Sequence, residues 1–235
     1  MGEMELRRRL ETLTTPHLAD ACIRAGVPVR CGPTGLQTVI RGSRLLGRVN
    51  PVRHVGSVDV LLEAIDGSAV GDVLVVDNGG RIDEACVGDL IVLEALSAGL
   101  EGIVIWGLHR DTSDIRAIGM PVFSLGRIPT GPLRLDLRSE DALELASVGE
   151  WTVDRDDLAI GDDDGVLFMP IADSEEIFTI AETIRDSERH QADPIRGSTN
   201  LRSQVQFDVY LARRQKVPSL TFREHLRTVG GTIEE

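Results

Sequence analysis

The sequence predicts an α/β fold built on a parallel βαβ core, and three observations carry that expectation. The runs at 73–77 (VLVVD) and 103–107 (IVIWG) are continuously apolar, as in strands buried on both faces of a sheet. Between them, 89–98 (DLIVLEALSA) has helical periodicity and stops at Gly99. A short helix at 112–118 and a third strand at 121–125 (PVFSL) extend the alternation, which packs as a parallel sheet with helices on its faces.

The remaining elements follow in order. Residues 4–13 place Leu among charges at helical spacing and predict a short leading helix. Thr15 and Pro16 form an N-cap and first-turn pair for a helix over 16–25, closed by Gly26. The Gly-, Arg- and Val-rich stretch 30–50 suggests short strands and turns, and 57–66 (SVDVLLEAID) an amphipathic helix broken at Asp66-Gly67. Beyond 131, LRLDL (133–137), WTVD (151–154) and GVLFMP (165–170) are expected strands, the last after an acidic turn at Asp162-Asp163-Asp164-Gly165. Residues 173–190 form a charged helix, and polar 191–202 (QADPIRGSTNLR) a linker. The rest is a helical arm (FDVYLARRQ, then TFREHLRT), with too little apolar surface to stand alone. The expected division is an α/β domain over 1–190 and a linker with arm over 191–235, the arm packing on a neighbouring subunit.

Composition narrows the function classes. The chain has 235 residues, 25 Lys and Arg against 38 Asp and Glu, and a net charge of −13. Such a surface repels phosphate backbones, which argues against nucleic-acid binding. A small anion remains open, because one Arg and a metal can reverse the sign inside a cleft. Aromatics make up 3%, so Val, Leu, Ile and Ala must build the core. Cys22, Cys31 and Cys86 are too widely spaced for a disulfide framework or a zinc motif, and free thiols are expected. No apolar run reaches signal-core or membrane-spanning length, so a cytoplasmic protein without membrane association is expected.

The candidate chemistry lies at the carboxyl edge of the predicted parallel strands, where ligands of open α/β sheets bind. Asp89 opens the helix after the first core strand; Arg110 and Asp111 follow the second. The free amides of Leu90 and Ile91 at the helix start can hold an anion. Arg110 can clamp a carboxylate through two parallel hydrogen bonds. Asp111 can ligate a hard cation, with Asp89 holding that cation's waters, which suits Mg²⁺ or Mn²⁺. A 2-oxo acid chelated there would lose its C3–C4 bond to leave a stabilised enolate, the logic of a metal-dependent aldolase; oxaloacetate decarboxylation passes through the same enolate. On spacing alone, the pair stands level with an alternative: a turn with a local ion pair at Arg110–Asp111, and Asp89 as a helix cap.

A resemblance bears on that choice. The stretch GDVLVVDNGGRIDEACVGDLIVLEALSAGLEGIVIWGLHRD resembles the RraA-like proteins, which include 4-hydroxy-4-methyl-2-oxoglutarate/4-carboxy-4-hydroxy-2-oxoadipate aldolases. Their signature is Gly-Asp, twenty residues, then Arg-Asp, matched here by Gly88-Asp89 and Arg110-Asp111. The likeness continues through PVFSLG at 121–126 and DDDGV at 162–166, and covers about 15–190. It implies an α/β/β/α sandwich assembling as a trimer or a dimer of trimers, with sites between subunits. It implies Asp111 as direct ligand of Mg²⁺ or Mn²⁺, Asp89 as ligand through water, and Arg110 with the Leu90 and Ile91 amides holding the pyruvyl group. It also implies a glutamate from a neighbouring subunit's C-terminal region, Glu188 or else Glu182. The family contains regulators that bind and inhibit the degradosome endoribonuclease but lack the full metal motif. This chain keeps both aspartates and the arginine, so a carbon–carbon lyase ranks first, a non-catalytic ribonuclease regulator second, and a lyase or hydratase of a sugar-derived 2-oxo acid third.

Other residues have quieter readings. His109 could touch substrate or be a plain loop histidine. Asn78, Gly79 and Gly80 could line the cleft with N–H groups or simply turn. Asp162–Asp164 resembles part of a calcium loop without the downstream glutamate, so a solvated turn is favoured. His54 has no partner at metal-ligand spacing and reads as structural, and Trp106 as packing.

Overall fold

The computed structural model describes residues 3–229, which cluster into two compact units divided between Phe178 and Thr179. The first carries helices α1 (Glu3–Leu10) and α2 (Thr15–Ala25), then strands β1 (Arg30–Cys31), β2 (Gln37–Thr38) and β3 (Leu45–Arg53). After α3 (Asp59–Asp66) come β4 (Val73–Asp77), β5 (Ala85–Val87), α4 (Asp89–Ser97), β6 (Gly102–His109), α5 (Thr112–Ile118) and β7 (Val122–Arg127). The last strands are β8 (Ala146–Val148), β9 (Trp151–Val153), β10 (Asp157–Asp162) and β11 (Gly165–Pro170). They form a curled mixed sheet of order β1-β11-β10-β3-β4-β6-β7-β2, with β5 on β6 and a separate β8–β9 hairpin.

The expected parallel core is present: β3, β4, β6 and β7 run parallel in register, Val75 opposite Val104 and Ile103 opposite Val122. Alternation explains why the strands are apolar throughout. In β4, Leu74 and Val76 pack beneath α3 and α4 with Val60, Leu61 and Val92, whereas Val73 and Val75 enter a second core with Phe123, Val148 and Phe168. α4 ends where Gly99 takes φ 82°, and α5 where Gly119 does the same.

Several local expectations are corrected. α2 is capped one residue earlier than expected, at Thr14, whose N–H donates to His17 Nδ1 at 3.0 Å. LRLDL forms no strand, and its apolar side chains face outward: Leu133 is 99% exposed and Leu137 98%. The reason is Arg134, which turns inward to buried Glu84 (Nε to Oε1, 3.0 Å), so that the intervening leucines turn out. The strand β10 was not foreseen, because acidic residues at both ends disguise DLAIGD; all six are buried. The acidic turn is not a solvated one throughout: Asp162 accepts from Thr15 N and Oγ1, both at 2.7 Å, and Asp163 accepts from the Gly42 amide.

Helix α6 (Ser174–Gly197) starts in the first unit and, in the second, continues past the expected stop at 190 and through Pro194. Pro194 costs one amide, and its carbonyl still accepts from Ser198 and Thr199. Short helices α7 (Leu201–Gln204), α8 (Phe207–Lys216) and α9 (Phe222–Val229) follow. The arm has a small core of its own: Phe207, Tyr210 and Phe222 stack edgewise and tilted at 5.0–5.6 Å, and the buried His225 holds the Val205 carbonyl at 2.8 Å. Among the described residues no helix is long and apolar enough to cross a membrane, and Cys22, Cys31 and Cys86 are free thiols.

Candidate active site

Parallel pairing brings Asp89, Arg110 and Asp111 to one edge of the sheet. β5 runs beside the end of β6, with Val87 opposite His109, and the Arg110 amide donates to the Val87 carbonyl at 3.0 Å. The start of α4 therefore abuts the turn after β6. Gly88 caps α4 at φ −127° and ψ −173°, a conformation open to any residue. Its lack of a side chain matters for another reason: a Cβ there would lie 2.5 Å from Asp111 Oδ2 and 3.2 Å from Arg110 Nε. The Gly-Asp and Arg-Asp halves of the motif thus meet, with the Arg110–Asp111 pair standing over the bare Gly88 Cα.

Asp111 has φ 58° and ψ 40°, one of two non-glycine residues with positive φ among those described. Asp tolerates this region at some cost. It occupies the N-cap position of α5, but its carboxylate makes no capping hydrogen bond. The carboxylate instead faces the Gly88 corner, half-exposed, with Arg110 Nε at 3.4 Å. Asp89 Oδ1 accepts from the Leu90 amide at 2.9 Å, so one of the two amides expected to hold an anion is taken by its neighbour. Glu182 and Glu188 both lie on α6 in the second unit. Among the described residues no three His, Cys, Asp or Glu side chains cluster as a metal site.

A cavity of about 350 Å³ opens beside the corner, lined by Gly88, Asp89, Leu90, Ile91 and Arg110 on one side and by His54, Gly56 and Cys86 on others. Arg110 and Asp111 also border a second hollow with Thr112 and Arg127. Burial pushes the Cys86 thiol up to about 12, so this wall is neutral and unreactive. Burial also holds His54 below the ordinary imidazole range, and His109 likewise, there with help from Arg127. His109 is fully engaged, Nδ1 with Ser124 Oγ at 2.7 Å and Nε2 with Thr112 Oγ1 at 2.9 Å; it ends strand β6 and is buried, a structural histidine rather than the expected loop one. The Asn78, Gly79 and Gly80 amides all bond within the protein, to Trp106 O, Asp77 Oδ1 and Trp106 O, so this segment is a turn rather than a cleft lining. Trp106 packs against Gly80, where a Cβ would be 2.7 Å away.

Sequence reasoning missed His54 as a cavity residue, since its partners come from distant positions. It missed the reason for Gly88 as well, although a glycine before a helix-opening Asp was the available signal.

The fold is a curled mixed α/β sheet that carries Asp89, Arg110 and Asp111 at its parallel edge. The model of the RraA-like family, described as Aldolase/RraA, matches residues 15–168, and this chain belongs to that family. It is 30% identical over 145 residues to a protein of Alcanivorax borkumensis named "Putative 4-hydroxy-4-methyl-2-oxoglutarate aldolase", covering 60% of this chain and 89% of that one. Among solved structures, it is similar to an uncharacterized protein from Pseudomonas syringae pv. tomato: TM-score 0.73, 26% identity, covering 83% of this chain and 94% of that one. It is also similar to RraAS2 of Streptomyces coelicolor, described as an unusual member of the RNase ES inhibitor RraA protein family: TM-score 0.69, 25% identity, covering 81% and 98%.

Proposed function

We propose that this chain is a divalent-metal-dependent carbon–carbon lyase that acts on pyruvyl-containing 2-oxo acids, among them 4-hydroxy-4-methyl-2-oxoglutarate-like substrates and oxaloacetate. The observation that carries this reading is the Arg110–Asp111 pair packed over Gly88, with Arg110 lining both hollows at this edge and Asp111 the second of them. A surface ion pair needs no such corner, and Asp111 holds a costly backbone conformation without using its carboxylate as a cap.

The donors fit a hard cation. Asp111 offers an uncapped, half-exposed carboxylate, and Asp89 a second one engaged only with its own helix. Two carboxylates suit Mg²⁺ or Mn²⁺, which keep several waters. Asp111 would bind directly and Asp89 through water. When bound, such a cation supplies Lewis-acid stabilisation of the charge that develops on the substrate's keto oxygen. Arg110 orients the substrate carboxylate through its planar fork, assisted by the Ile91 amide, and by the Leu90 amide once Asp89 releases it. Glu188, or else Glu182, of a neighbouring copy would complete the site in a trimer or a dimer of trimers.

The test is pyruvate release from 4-hydroxy-4-methyl-2-oxoglutarate and oxaloacetate by purified protein. Release should require Mg²⁺ or Mn²⁺, vanish with EDTA and return on adding metal. A folded protein that releases none overturns the reading. Capture of an RNase E-type endoribonuclease by such an inert protein would favour the regulator, which rests on likeness to the inhibitor-family structure.

A further inference from the structure

His54 follows β3 and is only 5% exposed, yet it lines the same cavity as Gly88, Asp89 and Arg110. Its Nδ1 lies 2.9 Å from Asn78 Oδ1. The same oxygen receives Arg134 Nη2 at 2.8 Å. A guanidinium can only donate, so the Asn78 amide is fixed with its oxygen toward both partners. His54 Nδ1 must then carry the hydrogen, and the neutral ring keeps its lone pair on Nε2. Arg134 is itself held by buried Glu84, with Nη2 to Oε1 at 2.9 Å, and by Asp136. The arrangement has a visible cost, since Asn78 Nδ2 is buried without an acceptor. Nε2 has no hydrogen-bond partner among the described residues but is not one of the sealed polar atoms, and for so buried a ring the cavity is the route of access. Burial lowers the pKa of His54, the Asn78 bond opposes this, Arg134 lowers it further, and Glu84 and Asp136 raise it; the net direction is downward, toward a neutral ring.

We infer that His54 presents an unprotonated Nε2 to the cavity and accepts the proton of the substrate's C4 hydroxyl as the C3–C4 bond breaks. In that step the O–H bond breaks and an Nε2–H bond forms. C4 becomes a carbonyl, and the C3–C4 electron pair stays with the three-carbon fragment, which takes a proton from solvent to leave as pyruvate. Arg134 and Asn78 are positioning residues for this base. The inference rests on the lyase reading but adds a discriminating consequence: oxaloacetate has no C4 hydroxyl, so its decarboxylation has no proton for His54 to remove.

The test uses full-length protein and His54→Asn, whose amide can still donate to Asn78 Oδ1 but has no atom at Nε2. The ratio of aldol cleavage to oxaloacetate decarboxylation should fall by about 10²-fold, the low end for loss of a general base. Long-range ¹H–¹⁵N spectra of ¹⁵N-histidine-labelled wild type at pH 7 should show His54 protonated on Nδ1 and bare on Nε2. An unchanged ratio, both reactions falling together, or a ring protonated on Nε2 overturns the role of His54. Wild-type protein inert in both reactions overturns the lyase reading itself.

Discussion

Replacing Gly88 with alanine separates folding from function at the motif corner. The backbone at φ −127° and ψ −173° accepts alanine without strain. The new Cβ would sit 2.5 Å from Asp111 Oδ2, the free end of a side chain, where van der Waals contact requires the carboxylate to retreat by roughly 1 Å. Arg110 Nε, at 3.2 Å, must also yield. The cost to stability is small, about 0.5–1 kcal/mol for alanine in place of glycine at an N-cap, or about 1–4 °C in Tm for a chain of this size. The cost to turnover is large, because an error of about 1 Å in a reacting group is worth about 10²-fold. Metal-dependent pyruvate release followed by a coupled dehydrogenase assay, alongside a thermal melt, measures both. Turnover within about threefold of wild type would refute the claim that chemistry happens at the Asp111 carboxylate. A collapse of the fold would show that Gly88 serves packing instead.

Three further outcomes are expected. Arg110→Lys should lower kcat/KM by about 10- to 100-fold, because an ammonium cannot make the two parallel bonds of a guanidinium; near-normal kinetics would remove Arg110 as the clamp. Asp162→Ala should destabilise the protein by about 2–4 kcal/mol in denaturant titrations, since it strands the Thr15 amide and hydroxyl and the Asp164 amide, while turnover per folded molecule holds. The folded-state pKa of His54 lies below its unfolded value of 6.5, so the unfolded chain takes up that proton first as pH falls. Stability should therefore decline as pH drops below about 6.5 toward the lowered folded pKa, and His54→Asn should flatten part of that decline; an identical slope in the variant would contradict it.

The sheet's parallel centre was legible because β4 and β6 are built on unbroken apolar runs, VLVV and IVIW, and because Gly99 and Gly119 punctuate the helices that follow them. Elements held by tertiary partners were not legible. LRLDL alternates like a strand, but the buried Glu84 draws Arg134 inward and reverses the pattern. The acidic ends of β10 look like turn, yet Asp157 is paired with Arg30 and Asp162 with Thr15. At the site, spacing identified Asp89, Arg110 and Asp111, because a βαβ unit brings those positions to one edge. It could not give Gly88 its purpose, which comes from side chains twenty-two and twenty-three positions later, as the numbering shows. Nor could it find His54, whose tautomer is set by Asn78 and Arg134 through space.

The central claim is that the corner around Asp111 holds the metal on which carbon–carbon cleavage depends. Titration of Mn²⁺ into wild type and Asp111→Ala, followed by electron paramagnetic resonance and paired with pyruvate release from oxaloacetate, tests it most directly. Wild type should bind one Mn²⁺ per chain and turn over, while Asp111→Ala should lose both yet stay folded, melting only a few degrees lower because alanine suits the φ 58° backbone less well than aspartate. Equal binding and turnover in the two proteins would place the metal elsewhere and contradict the account.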